Sequence, residues 1–235
     1  MRVLAVGAHP DDLEILCGGT LARYVREGHE VVMCHVALGD KGSTTSTSEE
    51  IEPVRRREAE RAAAIAGADS VTLGVRDGEI RAGDQEQREG MAELVRQARP
   101  DVVITHHPHD YMTDHDETAR LVFNASFLAT LPLLRTATPA HDVIAPVLYH
   151  MDTLAGHGFL PEEYVDITSD FDTKLAMLRA HESQVSWLGD HEGVDVLDQI
   201  RVTGRFRGNQ CGVPYAEGFV QRRTWLRPVP RRVLP

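Results

Sequence analysis

Residues 3–12 read VLAVGAHPDD, an apolar run that stops abruptly at a polar turn. The run carries no charge, as is typical of a buried strand, and the turn that follows holds one histidine and two carboxylates. A helical pattern continues from about residue 13 to 26, and a second apolar strand covers 31–36. Together these segments predict a βαβ unit, the building block of a parallel sheet.

The alternation of strands and helices continues through the first two thirds of the chain. It predicts helices at about 55–66 and 86–99, and strands at 70–73, 101–105 and 147–150. The segment 101–105 contains a continuous apolar run, which is typical of a strand covered on both faces. We therefore predict an α/β protein with a Rossmann-like, mainly parallel sheet flanked by helices. A single domain is expected over residues 1–235, with about 139–235 forming a less regular C-terminal cap.

The amino-acid composition and net charge limit the classes of partner that we expect the protein to bind. Of the 235 residues, 42% are hydrophobic and 26% are charged, proportions typical of a compact soluble domain. The formal charge of -11 at pH 7 repels phosphate backbones and anionic lipid, so neither nucleic acid nor a membrane surface is an expected partner. No segment is long and apolar enough for membrane insertion, and the N-terminal run is too short for a signal-peptide core.

The cysteines indicate the compartment and restrict the metal ligands. Cys17, Cys34 and Cys211 are odd in number and fit neither a disulfide framework nor a CxxC metal motif. This usage favours a reducing cytoplasm, and it leaves nitrogen and oxygen ligands for any metal. The locally basic C-terminal part, from Arg205 to Arg232, has three interpretations: a homo-oligomer contact, a contact with a substrate phosphate, or simple surface solubility.

Ligand-type residues concentrate after two of the predicted strands. Residues 9–12 follow the first strand, and 106–115 (HHPHDYMTDH) follow the strand at 101–105. Ligands bind at the carboxyl ends of such strands, where neighbouring connections diverge. His9, Asp12 and His115 would supply two imidazoles and a carboxylate, a set used for catalytic zinc and also for non-haem iron. The sequence thus predicts a divalent cation site without choosing between Zn²⁺ and Fe²⁺.

Helix-start patterns accompany both clusters. Asp114 and Glu117 have capping-box spacing, which would hold His115 in the first helical turn, and Asp11 and Glu14 have the same spacing. Asp11 therefore has two interpretations: it caps backbone amides, or it accepts a proton from a water beside the cation. Both remain open at this point.

At these residues the chain resembles a known family. AHPDDLE at 8–14 and DYMTDH at 110–115 are similar to motifs of the LmbE/PIG-L family of zinc-dependent N-acetylglucosaminyl deacetylases and related amidases. Weaker matches follow in the family's order, so that the resemblance covers roughly residues 3–190. They are Arg55 with Glu58 and Glu60, the turn Arg76–Gly78, and Lys174 with AHESQ at 180–184.

The resemblance implies roles for individual residues. His9, Asp12 and His115 would be the zinc ligands, and Asp11 the general base. The substrate-binding residues that it implies are Arg55, Asp77, Tyr111, His181 and Gln184. One departure stands out: Met112 occupies the position where many members have a histidine. A thioether cannot donate or shuttle a proton, so Tyr111, His109 or another histidine would have to substitute if that proton is needed.

The implied reaction is removal of an N-acetyl group from an amino sugar or a glycosylated small molecule. Metal-bound water would attack the amide with Asp11 as base, releasing acetate and a free amine. Two alternatives use the same residues. One is an amidase acting on a thiol conjugate or secondary-metabolite amide, and the other is a metal-dependent carbohydrate-binding protein without turnover. In each case the expected partner is a small molecule.

Overall fold

The fold is built on one seven-stranded sheet. The computed structural model describes residues 1–140, 146–224 and 233–235. The strand order is β3-β2-β1-β4-β5-β7-β6, in which β1 to β5 run parallel and β7 is antiparallel to both of its neighbours. The strands are β1 Arg2–Gly7, β2 Glu30–Ala37, β3 Asp69–Val75, β4 Val102–Thr105, β5 Val147–Met151, β6 Glu163–Asp166 and β7 Ala216–Gln221. The prediction of a mainly parallel α/β sheet is confirmed.

Helices cover both faces of this sheet. They are α1 Asp12–Leu16, α2 Gly18–Arg26, α3 Ser48–Ala66, α4 Gln85–Ala98, α5 Thr113–Leu128, α6 Phe171–Arg179, α7 Glu182–Trp187 and α8 Val196–Cys211. Alternate residues of β1 enter two separate cores: Val3 and Ala5 pack with α1, α2, α3 and α6, whereas Leu4 and Val6 pack with α4 and α5. Since side chains of β1 point alternately to the two faces of the sheet and both faces are covered by helices, every position from Val3 to Val6 is apolar.

The predicted first helix is in fact two helices, α1 and α2, that are separated at Cys17. The paired glycines at the start of α2 provide the reason. A Cβ on Gly19 would lie 2.8 Å from the side chain of Ile167, which is closer than packed atoms approach. The helix is therefore interrupted where the C-terminal half of the chain packs closely against its backbone.

Strand order places the carboxyl end of β1 at a topological switch point. The chain runs outward from β1 through β2 to β3, and then returns to β4 on the other side of β1. The connections after β1 and β4 consequently diverge, which opens a crevice at that edge of the sheet. All four residues of β4 are buried, as its apolar run predicts.

The C-terminal segment contributes to the same sheet. Residues after about 139 supply β5, β6 and β7 as well as α6 to α8. Residues 141–145 and 225–232, which include part of the predicted basic segment, lie outside the described residues. Arg207, another member of that segment, is buried and paired with Asp152 through a contact of 2.6 Å from Nε to Oδ2. In the part of the chain that is described, no helix has the length and apolarity needed to cross a bilayer.

Candidate active site and metal centre

The turn after β1 brings His9 and Asp12 together. The backbone N–H of His9 donates to Asp12 Oδ2 at 2.6 Å, and the N–H of Asp12 donates to the His9 carbonyl at 3.2 Å. These reciprocal bonds fold the turn so that both side chains project toward the crevice. Asp12 is only 4% exposed, so its charge lies in a poorly solvated place.

His115 reaches the same place from the start of α5, and it is fully buried. The predicted cap for this helix is wrong: α5 begins after Met112, whose carbonyl accepts from the N–H of His115 at 3.1 Å. Asp114 lies inside the first turn, where Oδ2 accepts from the N–H of Gly78 at 2.7 Å. A distant backbone donor thus takes the carboxylate that local spacing assigns to capping.

The three predicted ligands converge. Asp12 Oδ1 lies 3.3 Å from His115 Nε2, and Asp12 Oδ2 lies 3.5 Å from His9 Nδ1. One donor atom from each of the three residues falls within 4.8 Å of the others, close enough for one cation to bind them all. The structure therefore brings His9, Asp12 and His115 together as the sequence predicts.

Each of the two imidazoles, His9 and His115, also contacts a second carboxylate through the ring nitrogen that does not face Asp12. Asp114 Oδ2 lies 3.1 Å from His9 Nε2, and Asp110 Oδ2 lies 3.1 Å from His115 Nδ1. Such carboxylate–histidine pairs orient metal-ligating rings and fix their tautomers. Because each ring has its far nitrogen occupied in this way, the near nitrogens, Nδ1 of His9 and Nε2 of His115, both face Asp12. This donor set fits a divalent cation.

The electrostatics of the cluster support the same conclusion. Burial lowers the pKa of His9, but hydrogen bonds to Asp114 and Asp12 outweigh it and raise that pKa to about 10. Burial likewise lowers the pKa of His115, but Asp12 and Asp110 raise it to about 9. Carboxylates that attract a proton to these nitrogens also favour a divalent cation there, and the two compete for the same lone pairs.

His106 also belongs to this cluster, although it is not one of the three predicted ligands. It is fully buried and stacks on His115, with ring centroids 3.9 Å apart. Its Nε2 accepts from the N–H of Ala8 at 2.9 Å, and burial lowers its pKa to about 4. His106 is therefore a neutral ring that supports His115 from behind. The available signal was its place directly after the fully buried strand β4.

Asp11 adopts an unusual backbone conformation beside the triad, with φ 126°. No side-chain capping bond forms at the start of α1, so the capping interpretation of Asp11 is not what the structure shows. Burial raises the pKa of Asp11, against the opposing charge of Arg55, whose guanidinium lies 3.6 Å from Asp11 Oδ2. A buried carboxylate with a raised pKa can accept a proton near neutral pH.

Three of the predicted substrate-binding residues are buried: Arg55, His181 and Gln184. Arg55 donates to the carbonyl of Pro10 and packs against Gly39. Gln184 donates from Nε2 to the carbonyl of Gly42 at 3.0 Å. The polar loop after β2 is thereby tied to both sides of the crevice.

The other two predicted substrate-binding residues, Asp77 and Tyr111, have different surroundings. Asp77 accepts from the backbone N–H groups of Gly39 at 2.8 Å and Lys41 at 3.0 Å, so its carboxylate shapes the loop after β2. Asp40 accepts from the N–H of Asp77 at 2.9 Å and completes a reciprocal clamp. Tyr111, in contrast, is 65% exposed on the segment that leads into α5.

Comparison with known proteins identifies relatives of this chain. The family model of PIG-L, the GlcNAc-PI de-N-acetylase, matches residues 4–126. Diacetylchitobiose deacetylase of Thermococcus kodakarensis is 29% identical over 228 residues, covering 93% of this chain and 82% of that protein. The structure of N,N'-diacetylchitobiose deacetylase from Pyrococcus horikoshii aligns with a TM-score of 0.80 at 28% identity, covering 94% of this chain and 83% of that one.

A further structure shares the fold with a different activity. GalB, the 4-carboxy-2-hydroxymuconate hydratase of Pseudomonas putida, aligns with a TM-score of 0.83 over 99% of this chain and 100% of its own. Its sequence identity is 23%, so this likeness concerns the fold alone. Activity has to be argued from the side chains of the site.

Proposed function

Because the chain belongs to the PIG-L family of GlcNAc-PI de-N-acetylases, which are enzymes, we propose that it hydrolyses the N-acetyl group of an amino sugar or a glycosylated small molecule. The observation that carries this proposal is the convergence of His9, Asp12 and His115 with the buried carboxylate of Asp11 beside them. The relatives named as diacetylchitobiose deacetylases supply the substrate class.

We propose zinc as the cation, held by His9, Asp12 and His115 and oriented by Asp110 and Asp114. Two imidazoles and one carboxylate form a catalytic zinc set, although Fe²⁺ would also fit these donors. When bound, such a cation polarises the amide carbonyl and lowers the pKa of a water molecule.

Asp11 acts as the general base in this proposal. Its carboxylate accepts a proton from the attacking water and can return that proton to the leaving amine. Arg55 lies 3.6 Å from the carboxylate and stabilises its charged form before the proton arrives. The thioether of Met112 carries no proton, so Met112 cannot act as a second proton donor at this edge of the site.

The substrate-binding residues are assigned by position. Arg55, His181 and Gln184 form the buried wall beside Asp11, and Asp77 sets the shape of the loop after β2. Tyr111 presents an exposed phenol at the rim, where it could contact a sugar ring. We propose these as contacts that position the acetamide or determine which amine leaves.

The experiment combines metal analysis with mass spectrometry after incubation with acetylated amino sugars, diacetylchitobiose among them. We expect stoichiometric zinc, release of acetate and the mass loss of one acetyl group. Asp11→Asn should retain zinc and lose about 10²–10⁴-fold in turnover, whereas His115→Ala should lose zinc. Equal zinc loss in both variants would refute the division of roles. Amine release without acetate would indicate an amidase, and binding without turnover a carbohydrate-binding protein.

The domain organisation and compartment are proposals of the same kind. We propose a single domain, because strands from both halves of the chain share one sheet. Cys17, Cys34 and Cys211 are free thiols, and the first two are buried, which favours a reducing cytoplasm.

A further inference from the structure

A second cluster of buried titratable side chains lies next to the proposed active site, and of its members only His181 has a role in the mechanism above. Glu14 and His181 are fully buried and His35 is 2% exposed. Glu14 Oε1 lies 3.3 Å from His181 Nε2, and Glu14 Oε2 lies 3.8 Å from His35 Nε2. We name these three residues the Glu14 cluster.

The carboxylate of Glu14 has no other partner among the described residues. Neither of its oxygens makes a hydrogen bond of good geometry, and the same is true of His35 Nε2 and both ring nitrogens of His181. Since the predicted capping bond of Glu14 is absent, capping does not explain this carboxylate. Its charge is compensated mainly by the two rings, and a buried carboxylate without such compensation is costly.

The position of the Glu14 cluster connects it to the proposed general base. Asp11 and Glu14 are three residues apart at the start of α1, a spacing that places side chains on one side of a helical turn. Three charged groups face His181: Glu14 from α1, Asp11 from the preceding turn and Arg55 from α3. His181 is therefore in contact with Glu14 and close enough to Asp11 for the charge of that carboxylate to act on its ring.

The backbone around His181 is fixed separately from its ring. Glu58 on α3 accepts from the N–H of Ser183 at 2.9 Å and from its hydroxyl at 2.6 Å. Arg61, also on α3, donates to the carbonyl of Ala180 at 3.0 Å. These bonds hold residues 180–183 in place, but they leave rotation of the imidazole to be decided by its own partners.

We propose that Glu14 is a positioning residue for the deacetylation reaction, acting through His181. By engaging Nε2, Glu14 holds the ring in one orientation and prevents it from turning to form a direct hydrogen bond with Asp11. Asp11 thereby stays available for the proton of the attacking water. Burial lowers the pKa of His181, but the charge of Glu14 outweighs burial and raises that pKa. This inference rests on the proposed function.

The test compares Glu14→Gln with Glu217→Gln, which neutralises another buried carboxylate far along the chain. Glu14→Gln should lower kcat about 10- to 100-fold, as expected for a misplaced catalytic group, while KM and zinc content change little. Glu217→Gln should keep kcat in its folded fraction. Glu14→Asp, which restores the charge, should recover part of the lost kcat. An unchanged kcat in Glu14→Gln would overturn the proposal, and so would an equal loss in both glutamine variants.

A second measurement does not depend on activity or on the folding of the Glu14 variant. Nitrogen–proton correlation spectra of imidazole rings distinguish a doubly protonated ring from the two neutral tautomers. In the wild-type protein we expect His181, assigned with His181→Asn, to carry a proton on Nε2, the nitrogen that lies 3.3 Å from Glu14 Oε1. A His181 ring without a proton on Nε2 would overturn the proposed role of Glu14 even if the enzyme is active. If the wild-type protein releases no acetate, the proposed function fails, but these spectra still report whether the ring presents a proton on Nε2 to Glu14.

Discussion

The Glu217 carboxylate on β7 joins the two halves of the chain at the start of α2. It accepts hydrogen bonds from the N–H of Gly19 at 3.0 Å, the N–H of Thr20 at 2.7 Å and the hydroxyl of Thr20 at 2.6 Å. It also pairs with the ammonium of Lys174, and both charged side chains are almost fully buried. Glu217 thus caps a helix and forms a buried ion pair at once.

The contribution of each interaction of Glu217 to the free energy of unfolding follows from this arrangement. Leaving one partner of a buried ion pair uncompensated costs about 3–5 kcal/mol, and losing a helix cap costs about 1 kcal/mol. Glu217→Gln should therefore lower the free energy of unfolding by about 4 kcal/mol, and Lys174→Met by about 3 kcal/mol. The double variant buries no unpaired charge, so it should cost only about 2 kcal/mol, although independent effects would add to about 7 kcal/mol.

The assay is urea unfolding of the wild type, both single variants and the double variant. For a chain of this length 1 kcal/mol corresponds to about 2–4 °C in Tm, so Glu217→Gln should lower Tm by about 8–16 °C. Zinc content and the kcat of the folded protein should not change. Single variants within about 1 kcal/mol of wild type would refute the reasoning, and so would an additive double variant.

Two other perturbations give independent checks. Asp110→Asn removes the carboxylate 3.1 Å from His115 Nδ1 and should weaken binding of the proposed zinc ion about 10- to 100-fold in a chelator competition, whereas the helix-cap change Asp84→Asn should not. Hydrogen bonds from the hydroxyl and N–H of Thr138 lower the pKa of Glu93 to about 2. The stability that this carboxylate contributes is present above its unfolded pKa of about 4.3 and is lost as the pH falls through about 2. A carboxyl NMR midpoint near 4 would contradict that assignment.

The sheet and the convergence of His9, Asp12 and His115 could be predicted because both depend on local patterns and one topological rule. The apolar runs of β1 and β4 are continuous because both of their faces are covered, and the polar turns follow directly after them. Parallel strands that are neighbours bring their carboxyl ends to one edge, so His9 and His115 had to lie near each other once β1 and β4 were paired.

The hydrogen-bond partners of the carboxylates around the three converging residues could not be predicted from local spacing. Asp114 and Glu117 fit a capping box, but the backbone N–H groups of Gly78 and Ala82 donate to their carboxylates at 2.7 Å each. These donors lie about 35 residues away in sequence, so local spacing carries no information about them. The same reasoning explains Glu14, whose capping spacing is real but whose partners come from residues distant in sequence.

The backbone of Asp11 shows how the fold sustains strain at the proposed general base. A non-glycine residue at φ 126° costs about 1–3 kcal/mol and persists only where its surroundings determine the conformation. At Asp11, hydrogen bonds to the backbone before and after the residue determine this conformation. Arg55 donates to the carbonyl of Pro10, the N–H of Asp12 donates to the carbonyl of His9, and the N–H of Ile15 donates to the carbonyl of Asp11. Relaxing Asp11 would break such bonds in a buried turn, each worth about 1 kcal/mol or more, so the strained conformation that keeps its carboxylate beside the triad is also the most stable one available.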